Sequence, residues 1–292
     1  MKDLHLVLDG DSWTFGSEII DPYIIKKYPM DHPTAIDWKA ENDDYRKSNI
    51  FGSYLSELMG AQRLTNLSWP ADDNLTILRR TMSFIINNYI KPKIPLDDVF
   101  VVIGWTTPER SHFWFKDDVE NFDGVFRLRP ILDGKFNTES QKKFWEMYVK
   151  HIWNPEQYLI DYLHVVYQFQ IFCEVHKIKW LCFNAFYQLP DHDISEWKDI
   201  DYRSEITSNH NLLGMQYQAI EKSRYSQRYQ YENLWNMIDP VRFYKKDQKE
   251  NSFKSFCYKN SKIPFNGFHP SEESHNLWAS ELYNYIKSNS LD

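Results

Sequence analysis

The sequence predicts an α/β protein whose parallel sheet is covered by helices on both faces. Three observations lead there. Short, continuous apolar runs, above all Val99-Phe100-Val101-Val102-Ile103, have the unbroken character of a parallel strand buried on both sides. Segments with apolar residues at helical spacing separate these runs. The composition, 42% hydrophobic and 17% aromatic over 292 residues, suits a large packed core rather than a disordered chain. Strands alternating with helices require right-handed crossovers, and hence a three-layer α/β/α arrangement.

The first strand is Leu4-His5-Leu6-Val7-Leu8-Asp9, and it runs straight into Gly10-Asp11-Ser12-Trp13-Thr14-Phe15-Gly16. An apolar run ending in glycine reads as a buried strand that breaks into a sharp loop. Residues 17–47, rich in Asp, Lys, Tyr and Pro, show weak periodicity and read as a long excursion over the active face. In 49–60, Ile50, Phe51, Tyr54, Leu55, Leu58 and Met59 fall at helical spacing, with Gly60 as the stop. Residues 63–68 read as the second strand. Asp72 or Asp73 then caps a helix running to about Tyr89, with Leu75, Leu78, Met82, Ile85 and Ile86 inward. The third strand spans 99–104, a long helix 155–177 and a fourth strand 180–186. The terminal helix begins near Ser271, after Pro270, and turns Leu277, Trp278, Leu282 and Ile286 inward. Segments 105–154 and 187–262 break this rhythm. Both are aromatic and charged and both follow strands. With 17–47 they read as insertions forming a lid or cap on a single domain over 1–292.

A formal charge of −7 argues against general nucleic-acid binding and against a polybasic membrane binder. Residues 242–262 hold seven Lys/Arg against Asp247 and Glu250; they read as a solvated loop, with an anionic substrate as the alternative. From Lys222 to Tyr231, basic and aromatic residues interleave as in single-strand binders, although the acidic whole favours an amphipathic lid helix. Asp191-His192-Asp193 could ligate a metal but lacks HxxxH or CxxC partners, so it reads as a solvated loop. The expectation is no metal and no cofactor, there being no phosphate-binding glycine loop of Walker or dinucleotide type. Cys173, Cys182 and Cys257, odd in number and without CxxC spacing, read as reduced, partly buried thiols in a reducing compartment. The first strand follows Met1-Lys2-Asp3 directly, which leaves no room for a signal peptide, and no apolar run approaches the roughly 18 residues of a membrane helix. The expectation is a soluble protein, cytoplasmic or virion-associated.

Ser12 stands at the carboxyl end of the first strand, where open α/β folds bind ligands. A serine hydroxyl is a weak nucleophile and needs a base and donors for the developing oxyanion. Near the other end, Asn266-Gly267-Phe268-His269-Pro270 offers His269 as the base. The bland readings are a turn capped by Asp11 and a structural histidine before a proline.

Together the two segments resemble the first and last sequence blocks of the SGNH (GDSL-type) hydrolase family. The resemblance follows the order of blocks over residues 3–104 and 263–289. It implies a flavodoxin-like fold with strand order 2-1-3-4-5, and ester hydrolysis through an acyl-serine on Ser12 with His269 shuttling the proton. Asn266 stands where the family has the aspartate that orients the histidine. An asparagine oxygen can hold the imidazole tautomer but cannot stabilise imidazolium as a carboxylate does. Glu272 or Glu273 are substitutes on the terminal helix, and His275 reads as a surface or supporting histidine. Ala71 replaces the second block's glycine, and its N–H can serve the oxyanion if its φ is negative. Thr106 replaces the third block's asparagine in Gly104-Trp105-Thr106-Thr107-Pro108-Glu109-Arg110, a variant similar to blocks of SGNH-like proteins, some virus-encoded. The implied oxyanion hole is therefore the amides of Ser12 and Ala71 with the Thr106 hydroxyl. Asp11, Trp13, Asn74, Trp105 and Arg110 form the implied pocket. The implied substrate carries a small acyl group such as acetate on a carbohydrate. Two other readings stand beside it: a weakly active or inactive SGNH scaffold used for binding or assembly, and an O-acyltransferase using the same serine.

Overall fold

The structure, a computed structural model, describes residues 3–29, 31, 33–108, 110–117, 122–128, 138–152, 155–186, 228–248 and 251–292. The chain divides into two compact units, one of Met1–Thr107, Gln168–Leu189 and Asp239–Asp292, the other of Pro108–Tyr167 and Pro190–Ile238. The first unit opens with β1 (His5–Gly10), α1 (Ser12–Phe15), α2 (Pro22–Lys27), α3 (Pro33–Ile36), α4 (Ala40–Ser48) and α5 (Phe51–Met59). It continues through β2 (Arg63–Asn66), α6 (Asn74–Ile85) with a π turn at Ile86–Ile90, and β3 (Val99–Trp105). The second unit holds the antiparallel hairpin β4 (Ser111–Asp117) and β5 (Phe122–Leu128), α7 (Glu139–His151) and the start of α8 (Pro155–His176). Next comes β6 (Lys179–Asn184) of the first unit, then α9 (Arg228–Met237) of the second. α10 (Phe253–Asn260), β7 (Phe265–Asn266), β8 (His269–Pro270) and α11 (Glu272–Ser288) complete the first.

The central sheet is parallel, in the order β2-β1-β3-β6. Side chains alternate across a strand, so Leu6, Leu8, Phe100, Val102, Leu181 and Phe183 share one face. They meet Phe51 and Leu55 of α5, Phe253 and Cys257 of α10, and Trp278, Leu282 and Ile286 of α11. Each large side chain fully buried there contributes about 1.5–3 kcal/mol. On the opposite face, Thr81 of α6 donates to Asp9 at 2.7 Å, and Phe169 of α8 meets Trp105 and Trp180 at ring-centroid distances of 5.8 and 5.4 Å. The expected layering is present.

Several details differ from the sequence reading. Among the described residues a fifth strand is reduced to two parallel bridges on the edge of β6, Phe243 to Cys182 and Ser252 to Asn184. Between the two bridges Lys245 adopts φ +46°, outside the β region that a continuous strand requires. The excursion at 17–47 carries three helices, and Asp21 caps the first by accepting from Tyr23 N at 2.7 Å. In α6 the cap is Asp73, which accepts from Thr76 N at 2.7 Å. The buried face of α6 is Asn74, Ile77, Leu78, Thr81 and Ile85, while Leu75 is exposed. Polar contacts from Asn74 and Thr81 rotate this face away from the apolar stripe.

The three cysteines are free and fully buried rather than partly so. Among the described residues of the basic stretch, Lys246 is buried, Arg242 donates to the Trp180 carbonyl at 3.0 Å and Lys245 pairs with Glu281 at 2.8 Å. That part is docked, not a solvated loop. Asp191-His192-Asp193 lies outside the described residues, as does the Lys222–Tyr231 stretch before Arg228. No described helix is long and apolar enough to cross a membrane.

Candidate active site

β1 ends at Gly10, whose register partner on β3 is Gly104. A Cβ on Gly10 would stand 2.8 Å from the Gly104 carbonyl oxygen and 2.3 Å from Thr14 Oγ1, so only glycine fits. Asp11 caps the turn that follows: its Oδ1 accepts from Trp13 N at 3.0 Å and its carbonyl accepts from Phe15 N at 2.9 Å. Ser12 is thereby set as the first residue of α1, and is 7% exposed.

The other residues assigned around Ser12 take different roles. The Thr106 hydroxyl donates to Asp11 Oδ2 at 2.6 Å, and the Thr106 N–H donates to Asn74 Oδ1 at 2.9 Å. Asn74 Nδ2 lies 3.2 Å from each of the Thr106 and Thr107 carbonyls. Thr106, Asp11 and Asn74 are thus a brace between β3, α6 and the serine turn. With its proton on a carboxylate, the Thr106 hydroxyl does not face a developing oxyanion. Ala71 adopts φ +66°, not the negative value on which its oxyanion role depended. Such a conformation costs a non-glycine residue about 1 kcal/mol or more, and a β-branched one further. Ala71→Val should lower stability by about 1–3 kcal/mol in urea unfolding. Trp13, 3% exposed, packs against Phe186, Phe253 and Phe265 at 4.5, 5.7 and 5.5 Å. Trp105 is wholly buried beside Phe169. Both indoles are core walls rather than pocket lining. Arg110 is half-buried and belongs to the second unit.

A charge cluster that the sequence reading missed lies directly beneath the serine turn. Asp9, fully buried, accepts from Arg80 Nε and Nη2, from Thr81 Oγ1 at 2.7 Å and from Gly10 N at 2.7 Å. Arg80 Nη1 pairs with Asp72, and Nη2 reaches the Gly10 carbonyl at 3.2 Å. Burial pushes the Asp9 carboxyl up to about 6 against the opposing pull of Arg80.

His269 sits on the tight β7–β8 hairpin, in register with Asn266. α1 packs against β8, and Trp13, next to Ser12, touches Phe265 of β7. The group beside the imidazole is Glu18. Its Oε2 lies 3.2 Å from His269 Nδ1, and it also accepts from Phe268 N at 2.9 Å. Asn266, by contrast, is exposed. Glu272 accepts from Tyr45 and Glu273 from Ile263 N, so both proposed substitutes are engaged elsewhere. His275 is fully buried rather than a surface residue. It accepts from Phe51 N at 3.1 Å, and burial, then the charge of His269, pushes it down to about 3.

Glu18 is 4% exposed and adopts φ +65°, held there by Asp37 Oδ1, which accepts its N–H at 2.8 Å. Burial raises its pKa, but the imidazole and the backbone N–H groups of Phe268 and His269 outweigh it and hold Glu18 below the ordinary carboxylate range. Asp37 is pushed up to about 6 by burial, opposed by the Glu18 N–H and the charge of His269. Gly267, at φ +64°, leaves the space that the Glu18 carboxylate fills; a Cβ there would stand 2.6 Å from Oε2. Gly267→Ala should displace that carboxylate and hold an alanine at positive φ, lowering stability by about 1–3 kcal/mol, which urea unfolding measures. In the sequence, the one sign of a buried Glu18 is its place before the apolar pair Ile19-Ile20, both buried here.

A family model, "Family of unknown function (DUF6071)", matches residues 33–205, more than half of the chain. The chain belongs to the DUF6071 family. The DUF6071 match leaves Ser12, Glu18 and His269 outside its bounds. No curated protein matches the sequence. Among solved structures, the chain is similar to a protein assigned to the G-D-S-L lipolytic family from Desulfitobacterium hafniense, at 10% identity and TM-score 0.41, covering 97% of this chain and 99% of that one. It is similar to a carbohydrate esterase family 2 enzyme with its carbohydrate-binding domain from Corynascus thermopiles (Myceliophthora fergusii), at 10% identity and TM-score 0.45, covering 98% and 66%. A third is a carbohydrate esterase whose active site is described as having divergent catalytic and non-catalytic binding functions, at 10% identity and TM-score 0.41, covering 98% and 65%. The chain thus spans about two thirds of the two esterase chains. These comparisons give no support to a viral origin.

Proposed function

We propose that this chain is a serine esterase in which Ser12 attacks, His269 carries the proton and Glu18, rather than Asn266, orients and charges the imidazole. The observation that supports it most is the buried Glu18 carboxylate 3.2 Å from His269 Nδ1, on a hairpin packed against the helix that starts with Ser12. A carboxylate at Nδ1 leaves Nε2 to face the serine and stabilises the imidazolium that forms when Ser12 loses its proton. Ser12 Oγ then bonds to the ester carbonyl carbon. The Ser12 amide, at the first position of α1, donates to the oxyanion. Collapse breaks the ester C–O bond, and His269 returns the proton to the departing alcohol. Water repeats the sequence to release the acid and free Ser12. Asp37 acts at one remove, by fixing the backbone of Glu18. The substrate on this reading is a small acyl ester, such as an acetate, on a carbohydrate.

The test is labelling with a fluorophosphonate together with turnover of p-nitrophenyl acetate. The wild type should label on Ser12, and Ser12→Ala and His269→Ala should each lose labelling and turnover. Undiminished turnover in Ser12→Ala would sink the mechanism. A binding or assembly role is favoured by one observation, the engagement of both the Thr106 N–H and its hydroxyl, which thins the oxyanion hole. A folded wild type inert to the fluorophosphonate would support that role instead.

A further inference from the structure

Beside the serine turn lies an aromatic surface that the esterase mechanism does not use. Trp38 and Trp69 are 55% and 47% exposed, with ring centroids 5.1 Å apart and planes inclined at 49°. Both rest on Phe15 of α1, at 5.9 and 6.2 Å. Phe15 is itself pinned by Arg46, whose guanidinium lies 3.7 Å from the ring centroid and donates to the Phe15 carbonyl at 2.8 Å. The surface adjoins the catalytic groups on two sides. Trp69 N donates to the Gly10 carbonyl at 3.2 Å, two residues before Ser12, and Trp38 follows Asp37, which holds Glu18.

Two large indoles left half in water, on a support this firmly held, mark a binding surface rather than chance exposure. Their chemistry narrows the ligand. An acyl chain is matched by flexible aliphatic side chains, and this surface is built of three aromatic rings. A nucleotide needs cations for its phosphates, and the neighbouring cations are already taken: Lys39 pairs with Asp31 at 3.1 Å and lies over Tyr28, and Arg46 pairs with Asp43 at 2.7 Å. The chain as a whole carries −7. A neutral pyranose fits both conditions, because its axial C–H groups pack on aromatic faces while its hydroxyls accept from indole N–H groups.

We infer that Trp38 and Trp69, supported by Phe15, form a sugar-stacking subsite that holds a neutral pyranose of the substrate's carbohydrate backbone next to Ser12. This deepens the esterase reading and rests on it for the role of the bound sugar, but the binding itself is separable. Ser12→Ala protein, which cannot turn over an ester, is titrated calorimetrically with unsubstituted β-1,4-linked hexasaccharides of glucose, xylose and N-acetylglucosamine, and separately with octanoate. Saturable binding of at least one hexasaccharide is expected. Trp38→Ala and Trp69→Ala should each weaken it about tenfold or more, while Trp38→Phe and Trp69→Tyr should retain most of it. In the Ser12-intact protein, the alanine variants should raise KM for the acetylated form of that saccharide more than they lower kcat. Binding of none of the three saccharides, equal binding by the alanine variants, or tryptophan-dependent binding of octanoate alone would overturn the subsite. A wild type that hydrolyses p-nitrophenyl acetate yet binds no saccharide removes the subsite and keeps the esterase. A wild type inert to that ester, with tryptophan-dependent saccharide binding, does the reverse.

Discussion

Glu18→Gln is expected to lower kcat for p-nitrophenyl acetate by about 10³- to 10⁴-fold, the scale on which loss of the carboxylate disables a Ser-His-Asp triad. The amide retains the shape of the side chain but can no longer stabilise the imidazolium, and it can present N–H to Nδ1 and select the wrong tautomer. Asn266→Ala should leave kcat within about twofold, because the Asn266 side chain is exposed while the carboxylate at His269 comes from Glu18. The pair of variants separates the two candidate orienting residues. Wild-type turnover in Glu18→Gln, or a large loss in Asn266→Ala, would return the role to Asn266. Since its surroundings hold Glu18 below the ordinary carboxylate range, it remains charged throughout the near-neutral range in which the assay is run.

Arg80→Met is expected to destabilise the protein by about 3–5 kcal/mol, because it leaves the buried Asp9 charge without its cation. Asp9 is 0% exposed, and its remaining donors are the Thr81 hydroxyl and the Gly10 N–H. On the usual scaling for large domains the midpoint of thermal unfolding should fall by about 10 °C. Asp9→Asn combined with Arg80→Met should recover part of the loss, since an amide carries no charge to strand. The pH dependence has a definite sign. The folded pKa of Asp9, about 6, lies above the ordinary aspartate value of 3.8, so the folded state binds the proton more tightly. The stability contributed by protonated Asp9 is therefore fully present below about pH 4 and is lost as pH rises through about 6. Removing Arg80 deepens that loss, so Arg80→Met should be more destabilising at pH 8 than at pH 5. Urea unfolding at the two pH values measures it. Equal losses at both would mean that Arg80 acts by packing alone.

What could be read directly from the chain was local. Continuous apolar runs mark β1, β3 and β6, because a parallel strand covered on both faces tolerates few polar residues. The α5 and α11 stripes show in the spacing of Phe51 with Leu55 and of Trp278 with Leu282 and Ile286, since one helical face must meet the sheet. α6 was legible as a helix but not in its orientation, because Asn74 and Thr81 turn inward to hydrogen-bond. The helices within 17–47 had too little apolar contrast to show a period.

By itself, then, the sequence determined the α/β class, the turn that presents Ser12 and the hairpin segment that carries His269. Each depends on residues adjacent in the chain, where strand, glycine and cap preferences act within a few positions. Only the tertiary structure decided which carboxylate lies beside His269, because Glu18 reaches the hairpin from the far end of the chain and no spacing rule links the two. It also decided that Thr106, Asp11 and Asn74 bond to one another, and that Arg80 neutralises Asp9 under the turn. Partner choice for a buried polar group is settled by which groups the packed core leaves within about 3 Å, and one-dimensional order does not specify that distance.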